Sequence, residues 1–151
     1  METFQVSQDE YLISTDKKLL NFDLIHGFLS RSYWSPGIPL EIVKHAAANS
    51  ITFGVYRSGS QIGYARVISD LATFAYLADV FILEEERGKG LSKWLVTSIL
   101  SAPFLKGLRR WMLATKDAHG LYQQYGFEPL DNPDVFMQIN RPNIYLETPE
   151  S

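Results

Sequence analysis

The chain has 151 residues, 46% apolar and 21% charged, enough to bury the core of a globular domain, and its net charge of −3 without a long basic run argues against general nucleic-acid binding. It has no cysteine, which excludes disulfides, thiolate metal sites and a cysteine nucleophile. The first residues lack the basic and apolar parts of a signal peptide, and no apolar run approaches the ~20 residues of a membrane span. The expectation is therefore a soluble, cytoplasmic protein of one domain over residues 1–151, with its core at about 11–140 and no membrane partner.

Residues 11–15 read as a first strand. Residues 20–31 carry Phe22, Ile25, His26, Phe28 and Leu29 at helical spacing. Pro36-Gly37 and Pro39 then impose a loop over residues 32–39, and residues 40–48 predict a short helix. Residues 51–57 and 61–68 form two strands of a hairpin around Ser58-Gly59-Ser60, followed by a long strand at 73–83. Residues 91–100 are helical, with Leu91, Trp94, Leu95 and Ile99 on one stripe and Pro103 just beyond. Residues 110–114 read as a strand. Residues 118–125 read as a short helix with Gly126 at its C′ position. Residues 127–130 and 136–139 predict closing strands, and the tail after Arg141 is expected to be loose. The strand–helix–strand step across residues 73–114 predicts a right-handed parallel crossover, and the hairpin before it is antiparallel. The result is an α/β fold with a mixed sheet and helices on both faces.

The stretch Phe81-Ile82-Leu83-Glu84-Glu85-Glu86-Arg87-Gly88-Lys89-Gly90-Leu91-Ser92 is the most informative. A strand ends in acids, a basic glycine-rich turn follows, and a helix starts at once. Glycines let the backbone turn tightly and approach a ligand. The first helical N–H groups have no internal partner, and the helix dipole adds partial positive charge. Arg87 and Lys89 supply full charges, so the turn predicts an anionic, phosphate-bearing ligand. It lacks the Gly-x-x-x-x-Gly-Lys-Ser/Thr pattern of a nucleotide-phosphate loop.

This element order and two motifs resemble the GNAT superfamily of acyl-CoA-dependent N-acetyltransferases. The signature Arg/Gln-x-x-Gly-x-Gly/Ala is met by Arg87-Gly88-Lys89-Gly90-Leu91-Ser92, with Ser92 in place of the last small residue. The downstream Ala-x-x-x-Tyr-x-x-x-Gly-Phe is met in full by Ala118, Tyr122, Gly126 and Phe127. The resemblance implies a mainly antiparallel sheet with a splayed parallel pair of central strands. It implies acetyl-CoA as co-substrate, with no metal. Its pyrophosphate would sit on Arg87, Gly88, Lys89, Gly90, Leu91 and Ser92, and its pantetheine arm along Phe81, Ile82 and Leu83. Thr115 falls where a family asparagine often contacts the cofactor, and Tyr122 matches the family's general acid.

Acetyl transfer needs a neutral amine, a polarised thioester carbonyl and a proton for the departing thiolate. A backbone N–H at Ile82 or a neighbour suits the carbonyl. Tyr122 suits the thiolate, with Tyr125 as second choice. Asp79, in a strand between Ala78 and Val80, is either a base for the amine or a salt-bridge partner of Arg66. His119 is another potential base. Arg66 and Tyr33 are candidates for the acceptor site, and Trp34 is read as a core plug. Tyr56 and Tyr64 are read as packing residues. The acceptor is a small-molecule or peptide amine, and a homodimer is left open. A non-catalytic acyl-CoA sensor is the competing function.

Overall fold

The computed structural model describes residues 1–147, in which six strands form one sheet in the order β1-β2-β3-β4-β5-β6. The strands are β1 (Gln5–Gln8), β2 (Tyr11–Ser14), β3 (Ile51–Arg57), β4 (Ser60–Ser69), β5 (Phe74–Ile82) and β6 (Arg110–Leu113). The helices are α1 (Phe22–Leu29), α2 (Leu40–Ala48), α3 (Leu91–Ser101) and α4 (His119–Gln123). Every neighbouring pair is antiparallel except β5 and β6, which are parallel and joined through α3. The mixed, mainly antiparallel sheet is the one expected.

Local chemistry accounts for most of these elements. Ser58 and Gly59 both take positive φ, which gives the two-residue turn between β3 and β4 a twist matching the strands. Asp70 holds the next turn. Its carboxylate accepts from the hydroxyl of Thr73 and the N–H groups of Thr73, Ala72 and Phe74, which keeps it well below the usual carboxylate range. Asn21 caps α1 by accepting from the Leu24 N–H at 3.1 Å. α3 starts at Gly90 with no side-chain cap.

The sheet is buried on both faces. Ile25 and Leu29 of α1, with Ile38 and Val43, pack on Tyr64 and Phe81. Phe28 stacks on the Phe81 ring at 3.9 Å. On the opposite face Leu91, Leu95, Val96 and Ile99 of α3, with Tyr122 of α4, pack on Phe53, Leu77 and Ile82 among others.

Four expectations need correction. β1 lies outside the predicted core and pairs with β2, its polar pattern hiding it from a search for apolar runs. α4 is shorter than predicted. Residues 127–130 and 136–139 are not strands, because neither joins the sheet, which ends at β6. The tail is not simply loose over its described part. Residues Ile144–Leu146 form a 3₁₀ turn, Tyr145 packs against the α1 cluster, and Arg141 pairs with Glu147 at 2.9 Å. The last four residues of that predicted tail lie outside the described ones.

Gly63 of β4 faces Ile82 of β5, and an added Cβ would stand 2.9 Å from the Phe81 carbonyl oxygen and 2.6 Å from Ile82 Cδ1. Backbone on one side and a buried side chain on the other leave the methyl no room. Gly63→Ala is expected to destabilise by about 1–3 kcal/mol through overpacking, a fall in Tm of roughly 2–12 °C for a chain of this size. Thermal unfolding followed by circular dichroism checks this, and an unchanged Tm would show that β4 and β5 are not held this tightly.

Candidate active site

The site follows from a mismatch in strand length. β6 pairs with β5 only from Phe74 to Leu77, after which β5 continues alone on that side to Ile82. The backbone from Ala78 to Ile82 therefore has an open edge inside the fold. The Leu83 N–H donates to the Ile62 carbonyl at 2.8 Å, so strand alternation turns the N–H and C=O of Ile82, and those of Val80, away from β4 and into the cleft. Phe81 points its own backbone at β4 and its ring into the α1 cluster. Asp79 breaks the regular run. It has φ 55°, opposite a register shift between Tyr64 and Arg66, a bulge that bends β5 where β6 leaves it.

The glycine turn closes one end of this cleft. Gly88 and Gly90 have φ of 82° and 78°, a region that disfavours any residue with a Cβ, and the space a Cβ would occupy at either is open. Uncapped, α3 presents the N–H groups of Leu91, Ser92 and Lys93 at its first turn. The Leu91 side chain is buried and fixes the start of the helix on the core. The cations are less free than the sequence suggests. Arg87 Nε donates to the Ile82 carbonyl at 3.1 Å, bracing the turn on the end of β5. Lys89 Nζ lies 2.7 Å from Glu86, which also takes Arg57 at 3.0 Å. Glu86 is the buried member of the three acids, and these two hydrogen bonds, Lys89 first, hold its carboxyl below the usual range. Glu84 and Glu85 are exposed. The pinning role of Glu86 was missed, since nothing in the spacing distinguishes it from its neighbours.

At the other side of the cleft, Tyr122 is only 7% exposed, and burial, with a smaller effect of nearby Tyr33, pushes its phenol up to about 12. Tyr33 reaches it from the loop after α1. Its hydroxyl accepts from the Lys116 N–H at 3.1 Å, and Lys116 Nζ lies 5.6 Å over its ring. Thr115 spends its hydroxyl on the Ala118 N–H at 3.0 Å, holding the first turn of α4. Tyr125 faces α3 instead, donating to the Lys93 carbonyl at 2.8 Å and accepting from Thr97. His119 is exposed.

Of the two roles open to Asp79, the salt bridge is present in the structure. Its Oδ2 takes Arg66 Nε at 2.9 Å and its Oδ1 takes Trp34 Nε1 at 2.9 Å. Arg66 in turn donates to Ser50 Oγ at 3.1 Å, tying the end of α2 to β4 and β5. Trp34 is thus half-exposed and polar in function rather than a core plug. Its tie to Asp79 spans 45 residues and left no trace in local pattern. Among the described residues no cluster of His, Asp or Glu could hold a metal ion, and no helix is long and apolar enough to cross a membrane.

Comparison with known proteins bears on the family and the fold. The acetyltransferase (GNAT) domain family model matches residues 48–129. A candidate acetyltransferase of Gibberella zeae is 35% identical, over 77% of either chain. The crystal structure of a candidate GNAT-family acetyltransferase from Xanthomonas campestris pv. campestris shares 49% identity, with a TM-score of 0.88, covering 89% of this chain and 96% of that one. A candidate acetyltransferase from Clostridium acetobutylicum, crystallised with acetyl-CoA, shares the fold at a TM-score of 0.61 and 12% identity, covering 92% of this chain and 95% of that one.

The paired Glu86 carries a pH signature. Its folded pKa is depressed, so its contribution to stability is present above the unfolded value of about 4.5 and is lost as pH falls through the folded one. Glu86→Gln is expected to lower Tm at neutral pH and to lose this disadvantage progressively as pH falls below about 4.5. A pH series of thermal melts checks the sign; a gap that widens in acid would contradict the pairing.

Proposed function

The chain belongs to the GNAT acetyltransferase superfamily, and on that premise we propose that it transfers an acetyl group from acetyl-CoA to a primary amine by direct attack within a ternary complex. One observation carries the reading: an open backbone edge on β5 leads to an uncapped helix start lined by two positive-φ glycines. That arrangement fits an acyl carrier with a diphosphate at one end and an extended amide arm. The free amides of α3, with the helix dipole, would take the diphosphate. Val80 and Ile82 would hydrogen-bond the arm as a neighbouring strand does. Acetyl-CoA supplies a thioester, whose acyl carbon an uncharged amine attacks.

In this reading the Ile82 region offers the N–H that polarises the carbonyl. Tyr122 is the proton donor to the leaving thiolate. Its raised pKa keeps the phenol protonated through the range where a free thiol ionises, so the proton is present to be given as the thiolate leaves. Tyr33 borders the acceptor position and holds it against the loop that carries Thr115. Arg87 and Lys89 act chiefly by fixing the turn and secondarily as charges near the diphosphate. Asp79 and Arg66 act as positioning residues: with both oxygens already accepting, Asp79 anchors the Trp34 loop, and the amine's proton leaves through water. The acceptor is a small-molecule or peptide amine.

Release of free thiol from acetyl-CoA in the presence of a panel of amines tests the activity. Tight binding without release on any amine would favour the sensor reading. With an acceptor in hand, Tyr122→Phe is expected to lower kcat by roughly 10²–10⁴-fold with little change in acetyl-CoA affinity. The wild type should show no falling limb of kcat from this group near pH 10, where an ordinary phenol ionises, because its own pKa lies near 12. Equal turnover in the variant would remove Tyr122 from its role.

Asp79→Asn keeps a residue that tolerates positive φ while discarding the charge. The expected outcome is a lower Tm, by about 2 kcal/mol of lost charge-assisted hydrogen bonding, and a raised acceptor KM with kcat within a few-fold. A kcat loss above about 100-fold at native Tm, the size of a lost general base, would instead make Asp79 the base.

A further inference from the structure

The loop after α1 spans the point where β5 and β6 part. Its Trp34 stands on β5: the indole N–H donates to Asp79 Oδ1 at 2.9 Å, at the bend beside the open edge. Its Tyr33 stands on the segment after β6: the phenol oxygen accepts from the Lys116 N–H at 3.1 Å, and the Lys116 ammonium lies 5.6 Å over the ring. The two rings meet edge to face, with centroids 5.0 Å apart. One aromatic pair thus bridges the fork between the two strands.

The bridge has little freedom to swing aside. Phe28 lies 6.3 Å from Trp34 and is itself stacked on Phe81 at 3.9 Å. Asp79 is fixed in turn by Arg66 at 2.9 Å. Trp34 is therefore held by a hydrogen bond at its nitrogen and by two neighbouring rings. Packing of this kind resists even one inserted methylene.

The open edge of β5 leads to this bridge. An acyl carrier with its diphosphate at the start of α3 runs from Ile82 back toward Ala78. Its acyl end then arrives where Leu77 is already paired with Leu113. The strands close there, so a longer acyl chain cannot continue along β5 and has to leave the plane of the sheet. On one face it meets the packed core of α3 and α4, where Leu77, Leu95 and Tyr122 are buried. On the other it meets the α1 cluster of Phe28, Tyr64 and Phe81, with Trp34 against it.

We propose that the Trp34–Tyr33 bridge gauges the acyl group, so that the site takes acetyl-CoA and turns away acyl-CoA with butyryl and longer chains. This rests on the acetyl-transfer reading for the placing of the acyl end, and it adds the class of acyl donor. Trp34 sets the limit by its bulk. Tyr33, tied to Lys116, is a positioning residue that holds the indole over the fork.

Titration calorimetry of the full chain with acetyl-CoA, butyryl-CoA and octanoyl-CoA, without any amine, reads the gauge in binding alone. The wild type is expected to bind butyryl-CoA at least about 10-fold more weakly than acetyl-CoA, and octanoyl-CoA no better than butyryl-CoA. Trp34→Ala is expected to bring the three affinities within about 3-fold of one another. Trp34→Phe keeps a smaller ring, and is expected to move the ratio the same way by less; it decides the matter if the alanine variant gives no cooperative melt. A loss of structure alone would weaken all three donors together and leave their ratio unchanged. Thiol release with an accepted amine should follow the same order in kcat/KM. Equal wild-type affinities, or an acetyl preference that persists in a folded Trp34 variant, would overturn the gauge even with acetyl transfer established. Tighter wild-type binding of octanoyl-CoA would replace it with a long-chain site. Acetyl-selective binding that is lost in the Trp34 variants, with no thiol release on any amine, would sink the transfer reading and leave the gauge standing.

Discussion

The fold turns on backbone that is left without a neighbour. β5 outruns its parallel partner by five residues, so the backbone of Val80 and Ile82 faces a cleft on the side where β6 would pair, while β4 still pairs the other side. Buried backbone groups without partners are costly, and a protein keeps them only where something else meets the need. Here one demand is met internally, by Arg87 on the Ile82 carbonyl. The others are open, directed at the same cleft as the uncapped first turn of α3. Two sets of unsatisfied amides pointing into one space are what the proposed acetyl-CoA site is built on.

Side chains then hold the two sets in place. Glu86 takes Arg57 and Lys89, and Asp79 takes Arg66 and Trp34. Each carboxylate is largely shielded and each has two donors, which is the condition under which an ion pair off the surface contributes to a defined geometry. The first group fixes the glycine turn to β3, and the second fixes the loop after α1 to β4 and β5. Much of the charge that looks ligand-directed in the sequence is in this way structural. In the proposed site, the electrostatic attraction for an anion rests more on the helix start than on free lysine and arginine.

This division explains what was legible. α2 and β3 were read to the residue, because apolar periodicity and flanking turn residues act locally. The glycine turn was read correctly as a change of direction, and Gly88 and Gly90 do take positive φ. The partners of its charges were not readable, since Arg57 lies 29 residues from Glu86 and Trp34 lies 45 from Asp79. Spacing carries no information about contacts made by the fold as a whole. β1 failed for a related reason: its residues are polar, and only pairing with β2 makes them a strand.

The two unformed closing strands are a different kind of miss. Local preference in residues 127–130 and 136–139 favours extended backbone, and the sheet still ends at β6. Extended preference does not by itself make a strand: without ladder hydrogen bonds to β6, both segments stay outside the sheet. Besides the outer edge of β1, the described residues leave open edges on the adjacent strands β5 and β6, and these two differ in surroundings. The edge of β5 faces an uncapped helix start and suits a small ligand carrying negative charge. The edge of β6 faces two cavities bordered by residues 127–130 and by no helix start. In the proposed reading, the surroundings of the β5 edge, an uncapped helix start and two positive-φ glycines, are what turn unpaired backbone into a ligand site.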